Sequence, residues 1–366
     1  MKSFIPSVSE EKKVKAIVEL LRMKLSFING VEDVIDVGST AKGTWLAGLS
    51  DIDIYVITTD IADTLRAIQT MFPRGHIKDG QLTIWNTEFR EYDTDLVIVT
   101  KDLVKREDTT RHARYFNRCL TNKMRNEIRL AKAYLKTRGV YGAEIGGIVG
   151  VAIEAIMLNT ETFVKMCQLL SGVRPYIQDP TMGTERDLLA SISSRTWDRL
   201  SKACDHYLMF PDFEYKDYTV NDFIDEHDQT RMILYEKTGD TAKDYQITQS
   251  LAVKVANEMR NLEDVIKITS DVFVDKEWIV VCFNCNVTAL SRTKEVQCPE
   301  KYGKAFLKAH PNAHRIGNIY VADVVRKIRY PEHAFLVWLN KEMRAKGYKN
   351  GWTTINMDPT FSPTLV

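Results

Sequence analysis

No stretch of the 366 residues stays apolar long enough to cross a bilayer, although hydrophobic residues make up 44% of the chain. A spanning helix needs about 20 apolar residues in a row. The opening Met1-Lys2-Ser3-Phe4-Ile5-Pro6 lacks the apolar core of a signal peptide. A cytoplasmic location without a membrane partner is therefore expected. Cysteine is sparse: Cys119, Cys167, Cys204, Cys282, Cys285 and Cys298 are scattered through a long chain, which makes reduced thiols the default. Cys282-Phe-Asn-Cys285 has a metal-like spacing, but it sits in an apolar strand-like run with only Cys298 near enough to join it. Buried thiols are the better reading than zinc. Net charge is only +1, so overall charge selects no partner. Internal repeats and low-complexity tracts are missing as well, which removes solenoid and disordered classes. What remains is an ordinary globular composition, 27% charged, of a length that suits two or three domains.

The informative stretch is Val37-Gly38-Ser39-Thr40-Ala41-Lys42-Gly43-Thr44-Trp45, followed by Asp51-Ile52-Asp53-Ile54-Tyr55-Val56-Ile57. Alternation in the second part predicts a strand with an apolar face and a face carrying two adjacent carboxylates. Like charges so close need a cation between them. Hard oxygen ligands together with substrate phosphates suit Mg²⁺. In the first part, glycine lets backbone approach a ligand, turn N–H groups favour an anion, and Ser39, Thr40 and Lys42 add hydroxyls and charge. A strand, a Gly-Ser turn and an Asp-x-Asp strand together read as a nucleotidyl-transfer site. Two-metal chemistry wants a third carboxylate on a neighbouring strand. Asp95, at the mouth of the apolar run Leu96–Val99, is the first choice, and Asp93 the weaker one.

Further along, a helix is expected from near Ser9 through Leu25, another over Ile61–Met71, and strands over Leu82–Trp85 and Glu91–Val99. Helical character dominates from Arg111 to about Leu170. Arg125–Arg138 is one strong helix with Lys132 and Lys136 a turn apart, ended by Gly139. Leu188–Leu200 and Asp244–Asn261 are expected helices, and Val265–Val274 with Trp278–Val287 an expected hairpin. Pro299–His310 then reads as helix, Ile319–Val325 as strand and Phe335–Met343 as helix. No role is assigned to Asp205–Thr230. Between Arg292 and Lys349 there are thirteen basic and five acidic residues, an excess of positive charge fit for a phosphate backbone.

These motifs resemble archaeal-type (class I) CCA-adding enzymes, the tRNA nucleotidyltransferases. The Gly38-Ser39 and Asp51-x-Asp53 signal is general to the superfamily. Specificity comes from Asn126-Glu127-Ile-Arg129-Leu-Ala-Lys132-Ala-Tyr-Leu-Lys136 with Gly139-Val-Tyr141-Gly142-Ala143-Glu144, supported by Arg111-His112 and by Asp179-Pro180 to Arg186-Asp187. The resemblance implies a multidomain α+β chain. Its parts would be a polymerase-beta-like nucleotidyltransferase head of mixed sheet and helices (1–110), a helical neck (111–205), a small α+β body (206–310) and a shortened tail (311–366). It further implies that Asp51, Asp53 and Asp95 hold two Mg²⁺, that Gly38, Ser39, Lys42, Lys132 and Tyr141 serve the triphosphate, and that His112 sits beside the triphosphate or at the active-site mouth. Arg186 would read the incoming base. The implied activity is template-independent addition of CCA to immature tRNA from CTP and ATP. A homodimer is a possible assembly. A related enzyme making poly(A), or short or cyclic oligonucleotides, is the alternative.

Overall fold

Ile52, Ile54 and Val56 become the buried side of a central strand, as their alternation requires. In the computed structural model, residues 4–78, 82–106, 109–182, 186–227, 231–238, 240–275 and 277–349 are described. The chain divides after residue 219 into two units.

The first unit opens with α1 (Val8–Ser26), β1 (Val31–Asp36), the short α2 (Gly38–Lys42), β2 (Ile52–Thr58) and α3 (Ile61–Met71). Ser7, not Ser9, caps α1. It accepts from the Glu10 N–H while the Glu10 carboxylate accepts from the Ser7 N–H, a reciprocal pairing that the Ser-x-x-Glu spacing dictates. Next come β3 (Gly75–Lys78), β4 (Thr83–Phe89) and β5 (Tyr92–Val99). The sheet order is β1-β2-β5-β4-β3. Only the β2–β5 pair is parallel. Val14, Leu21 and Leu25 of α1 join Ile68 of α3 against the Ile52, Ile54 and Val56 side. The opposite side is apolar too: Tyr55, Ile57, Val97 and Val99 form a second small core with Val37. The face expected to be polar is therefore polar only at its Asp51–Asp53 end.

Helices follow: α4 (Lys101–Arg106), α5 (Thr109–Cys119), α6 (Asn122–Thr137), α7 (Gly150–Thr160), α8 (Phe163–Leu170) and α9 (Ser194–Met209). Tyr134, Ile153, Phe163, Leu189 and Leu200 share their core. The helix expected over Leu188–Leu200 starts only at Ser194, because Ser193 caps it and the Leu188 N–H bonds back to the Ile177 carbonyl.

The second unit holds α10 (Val220–Glu226), β6 (Arg231–Glu236), α11 (Thr241–Leu262), β7 (Ile268–Val274), β8 (Trp278–Cys285) and β9 (Thr293–Pro299), then α12 (Gly303–Ala309), β10 (His314–Ile316), β11 (Ile319–Val325) and α13 (Pro331–Ala345). The expected hairpin is β7–β8, to which β6 adds on the other side. α11 and α13 bury Val255, Met259, Phe335 and Leu339 with Ile233, Val281 and Phe283 of this sheet. A second sheet, β10-β11-β9, follows. Cys282 and Cys285 are buried in β8. The β6, β9 and β10 strands had no clear signature, being short or polar on alternate positions.

Candidate active site

Register places the carboxylates. In the parallel β2–β5 pair Asp53 lies directly opposite Asp95, and across β4–β5 Asn86 lies opposite Asp95. Asp51 precedes Asp53 by one alternation, and Asp93, on the same side as Asp95, is exposed. Asn86 donates from Nδ2 to Asp95 Oδ1 at 2.7 Å, and Lys78 donates from Nζ to Asp95 Oδ2 at 2.6 Å.

Burial, then the neighbouring Asp95 and Asp51, push the Asp53 carboxyl up to about 7 against the pull of Lys78 and Lys42. Burial also raises Asp51, with Lys78 opposing and Asp95 and Asp93 assisting. This is the signature of carboxylates that want a cation. Among the described residues no three acidic, imidazole or thiol groups already converge as a finished metal cage. Instead, the Lys78 ammonium serves as local counter-ion to Asp95. A hard-oxygen set with a raised carboxyl and one stand-in cation fits a divalent ion such as Mg²⁺.

The Gly-Ser turn is tied to this wall, since the Val37 N–H donates to the Asp53 carbonyl at 3.0 Å. Gly38 has φ +65°, and a Cβ there would stand 2.0 Å from Asp53 Oδ2. Glycine is thus required twice, by conformation and by space. Gly38→Ala is expected to displace either the turn or the Asp53 carboxylate and to cost about 1–3 kcal/mol, read by thermal unfolding. Ser39 follows Gly38 in α2 and is partly buried.

Lys42, at the end of α2, turns inward. Its ammonium meets Glu154 Oε2 at 2.5 Å, while Lys132 Nζ reaches Glu154 Oε1 at 3.0 Å and the Thr44 hydroxyl donates to the same oxygen at 2.7 Å. Glu154 of α7 is fully buried. Burial alone would raise its carboxyl, but the Lys132 and Lys42 ammonium groups outweigh that and hold it at about 2. Two cations on one carboxylate leave a net positive charge beside Asp53. Tyr141 belongs to the same neighbourhood. A Cβ at Gly150 would lie 3.3 Å from both the Tyr141 hydroxyl and Lys132 Nζ. Burial, followed by the charge of Glu154 and Glu144, raises the Tyr141 phenol. Lys136 Nζ stands 5.9 Å from the Tyr141 ring and acts electrostatically on Asp51.

His112 and Arg186 meet elsewhere in this unit. Asp179 is fully buried, and its Oδ2 lies 2.8 Å from His112 Nε2 and 3.6 Å from the Arg186 guanidinium. Thr181 donates to its other oxygen from both N–H and hydroxyl. The Phe116 ring links this cluster to the first, lying 6.1 Å from the His112 ring and 5.9 Å from Lys42 Nζ.

Glu154, Lys78, Asn86 and Asp179 were not singled out from the sequence. Asp179 stood there only within its motif, and Glu154 carried a signal of its own: a lone acid in the apolar run Gly150–Leu158, a position that demands a buried partner.

A model of the nucleotidyltransferase domain matches residues 18–73, from the second half of α1 through β2 and α3. With the mixed sheet and its carboxylate edge, this defines a nucleotidyltransferase domain of polymerase-beta-like fold. More particularly, the chain is similar to the CCA-adding enzyme of Pyrobaculum aerophilum, 29% identical over 195 residues covering 48% of this chain and 46% of the relative. That of Pyrobaculum islandicum is 26% identical over 250 residues, 57% of this chain and 59% of the relative. That of Halobacterium salinarum is 30% identical over 158 residues, 39% and 35%. The chain spans about half the length of the curated relatives it matches. Among solved structures, a cytoplasmic RNA terminal U-transferase superposes with a TM-score of 0.37 at 16% identity, covering 58% of this chain and 68% of that one. The E. coli MS115-1 CdnC:HORMA-deltaN complex gives 0.40 at 16%, covering 56% and 88%. No helix of the described residues is long and apolar enough to cross a membrane.

Proposed function

We propose that this chain adds C, C and A to the 3′ end of immature tRNA, using CTP and ATP and releasing pyrophosphate. The observation that carries the reading is the carboxylate edge, Asp53 opposite Asp95 with Asp51 beside them, facing a glycine turn and a lysine cluster. Similarity to CCA-adding enzymes supports tRNA as the substrate class.

Asp51, Asp53 and Asp95 would hold two Mg²⁺. Bound there, they would supply Lewis acidity at the RNA 3′-hydroxyl and positive charge for the departing phosphates. The remaining work is the protein's own. Gly38 and Ser39 admit the triphosphate to the turn. Lys42 and Lys132, held in place by Glu154, supply positive potential, with Tyr141 and Lys136 in the same neighbourhood. Asn86 orients Asp95 through its hydrogen bond. Arg186, held with His112 on Asp179, is the proposed reader of the base, a task for polar groups that suffer when left unpaired, and His112 is assigned to the triphosphate or the mouth of the site. In this reading residues 1–110 are head, 111–205 neck, 206–310 body and 311–366 tail. The excess of basic residues between Arg292 and Lys349 takes tRNA phosphates. Exposed Lys301, Lys304, Lys308, Lys327 and Arg329 are the candidates there.

Two outcomes check the assignment of roles. Asp95→Asn is expected to lower Mg²⁺-dependent pyrophosphate release by about 10³-fold, the equivalent of several kcal/mol of lost charge stabilisation. Lys136→Ala should raise KM for CTP and ATP alike by about tenfold or more with kcat little changed, because a triphosphate contact is blind to the base. A change confined to one nucleotide would remove Lys136 from the triphosphate.

A further inference from the structure

Lys78 closes β3, the edge strand of the five-stranded sheet, and lies two strands away from Asp95 on β5. Strands two places apart are separated by about 9–10 Å, so only a long side chain crosses β4 to reach that carboxylate. The Lys78 ammonium does so, donating to Asp95 Oδ2 at 2.6 Å, while Asn86 Nδ2 donates to Oδ1 at 2.7 Å. The two contacts differ in kind. A neutral amide leaves the carboxylate its charge and its spare lone pairs. An ammonium offsets the charge and repels a second cation at the same oxygen.

The influence of Lys78 extends along the whole carboxylate edge. Of the cations acting on Asp51 and Asp53 it acts most strongly on each, ahead of Lys136 at the first and Lys42 at the second. Lys42 is fastened elsewhere, buried against Glu154. Lys78 has no comparable anchor. Among the described residues Asp95 is its one ion-pair partner, and its side chain is 30% exposed against 13% for Asp95. An ammonium is a compact point charge on a flexible stem. It can leave Asp95 for solvent by side-chain rotation, with no movement of the strand.

We propose that Lys78 is a displaceable internal counter-ion that competes with a divalent cation for Asp95 Oδ2 and so weakens the binding of that cation. The pairing keeps Asp95 charge-balanced opposite Asp53. It also makes cation entry a displacement, in which the ammonium turns out to solvent, rather than a simple addition. A lysine suits this role better than an arginine, whose planar fork would hold the carboxylate through two hydrogen bonds. The inference rests on the carboxylate edge as a cation site and not on tRNA, CTP or ATP as substrates.

The test therefore uses the full chain without nucleotide or RNA. Mn²⁺ is titrated at constant pH and ionic strength, and free Mn²⁺ is read by electron paramagnetic resonance. Lys78→Met is expected to bind Mn²⁺ at least tenfold more tightly than wild type, and Lys78→Arg no more tightly than wild type. Lys101→Met, which removes an exposed lysine paired with Glu32 on the same unit, should match wild type within about twofold and corrects for the general loss of positive charge. In an Asp95→Asn background, Lys78→Met should change the affinity by less than about twofold. Lys78→Gln carries the same expectation as Lys78→Met and replaces it if that variant does not fold. A second readout follows the displaced group: acetylation of Lys78 in wild type, measured by peptide mass spectrometry, should rise several-fold on adding Mg²⁺. Wild type that binds Mn²⁺ as tightly as Lys78→Met, a gain that persists in Asp95→Asn, or Lys78 acetylation indifferent to Mg²⁺ would overturn the proposal and leave CCA addition standing. Absence of Mn²⁺ binding in every variant would overturn it together with the cation site itself.

Discussion

Replacing Glu154 with glutamine is expected to destabilise the protein by about 3–5 kcal/mol, the usual cost of stripping one partner from a buried ion pair. The effect is large because three groups depend on one carboxylate. Lys42 and Lys132, both nearly inaccessible, share it with the Thr44 hydroxyl. A neutral amide leaves two ammonium groups buried near one another with nothing to offset them. Activity should fall further than stability explains, since both lysines are proposed to present charge to the triphosphate. A second substitution separates the two effects. In Glu154→Gln/Lys132→Met the like-charge repulsion is relieved, so much of the lost stability should return, while KM for both nucleotides stays high. Urea unfolding and steady-state kinetics on the single and double variants read both quantities. A Glu154→Gln protein as stable as wild type would show that the network is dispensable.

Asp53→Asn should abolish activity and yet make the metal-free protein more stable above neutral pH. The sign follows from the folded carboxyl, pushed up to about 7 from 3.8 by burial and by Asp95 and Asp51. A raised acid holds its proton more tightly when folded. Its contribution to stability is therefore complete below about pH 4 and is lost as pH climbs to about 7. Asparagine cannot ionise and shows no such slope. The variant should equal wild type near pH 4 and exceed it at pH 8, by a margin bounded at about 4 kcal/mol for a shift of roughly three units. Mg²⁺ should reverse the order above pH 7 by stabilising wild type alone. Denaturant unfolding at several pH values, in EDTA and then in Mg²⁺, gives the result directly. A difference independent of pH would mean that Asp53 is ionised in the folded protein without a cation.

Local periodicity carried much of the fold into view. The β2 alternation, the α3 boundaries and the β11 boundaries lay in the pattern of apolar residues. So did the Gly38 turn, because its residue types have few other uses at that spacing. Groups defined by tertiary register stayed hidden. Asn86 matters only because β4 pairs with β5 in one register, and Lys78 because β3 brings its ammonium to Asp95. Neither has a neighbour in sequence that betrays it. Asp179 was quoted only as part of a motif, yet it gathers His112 and Arg186 from positions 67 residues before and 7 after it. Tyr55 was expected on a polar face and is buried, since a second core covers that side of the sheet. Alternation reveals which residues share a face, not what covers it.

The most direct test of the central claim is stepwise extension of a tRNA transcript lacking its last three nucleotides, with Mg²⁺ and defined nucleotides, resolved on a sequencing gel beside Asp53→Asn. CTP alone should add two residues, CTP with ATP three, and GTP with UTP none, with no extension by the variant. Unlimited growth from ATP alone, or nucleotide consumed into small products without RNA extension, would contradict the account.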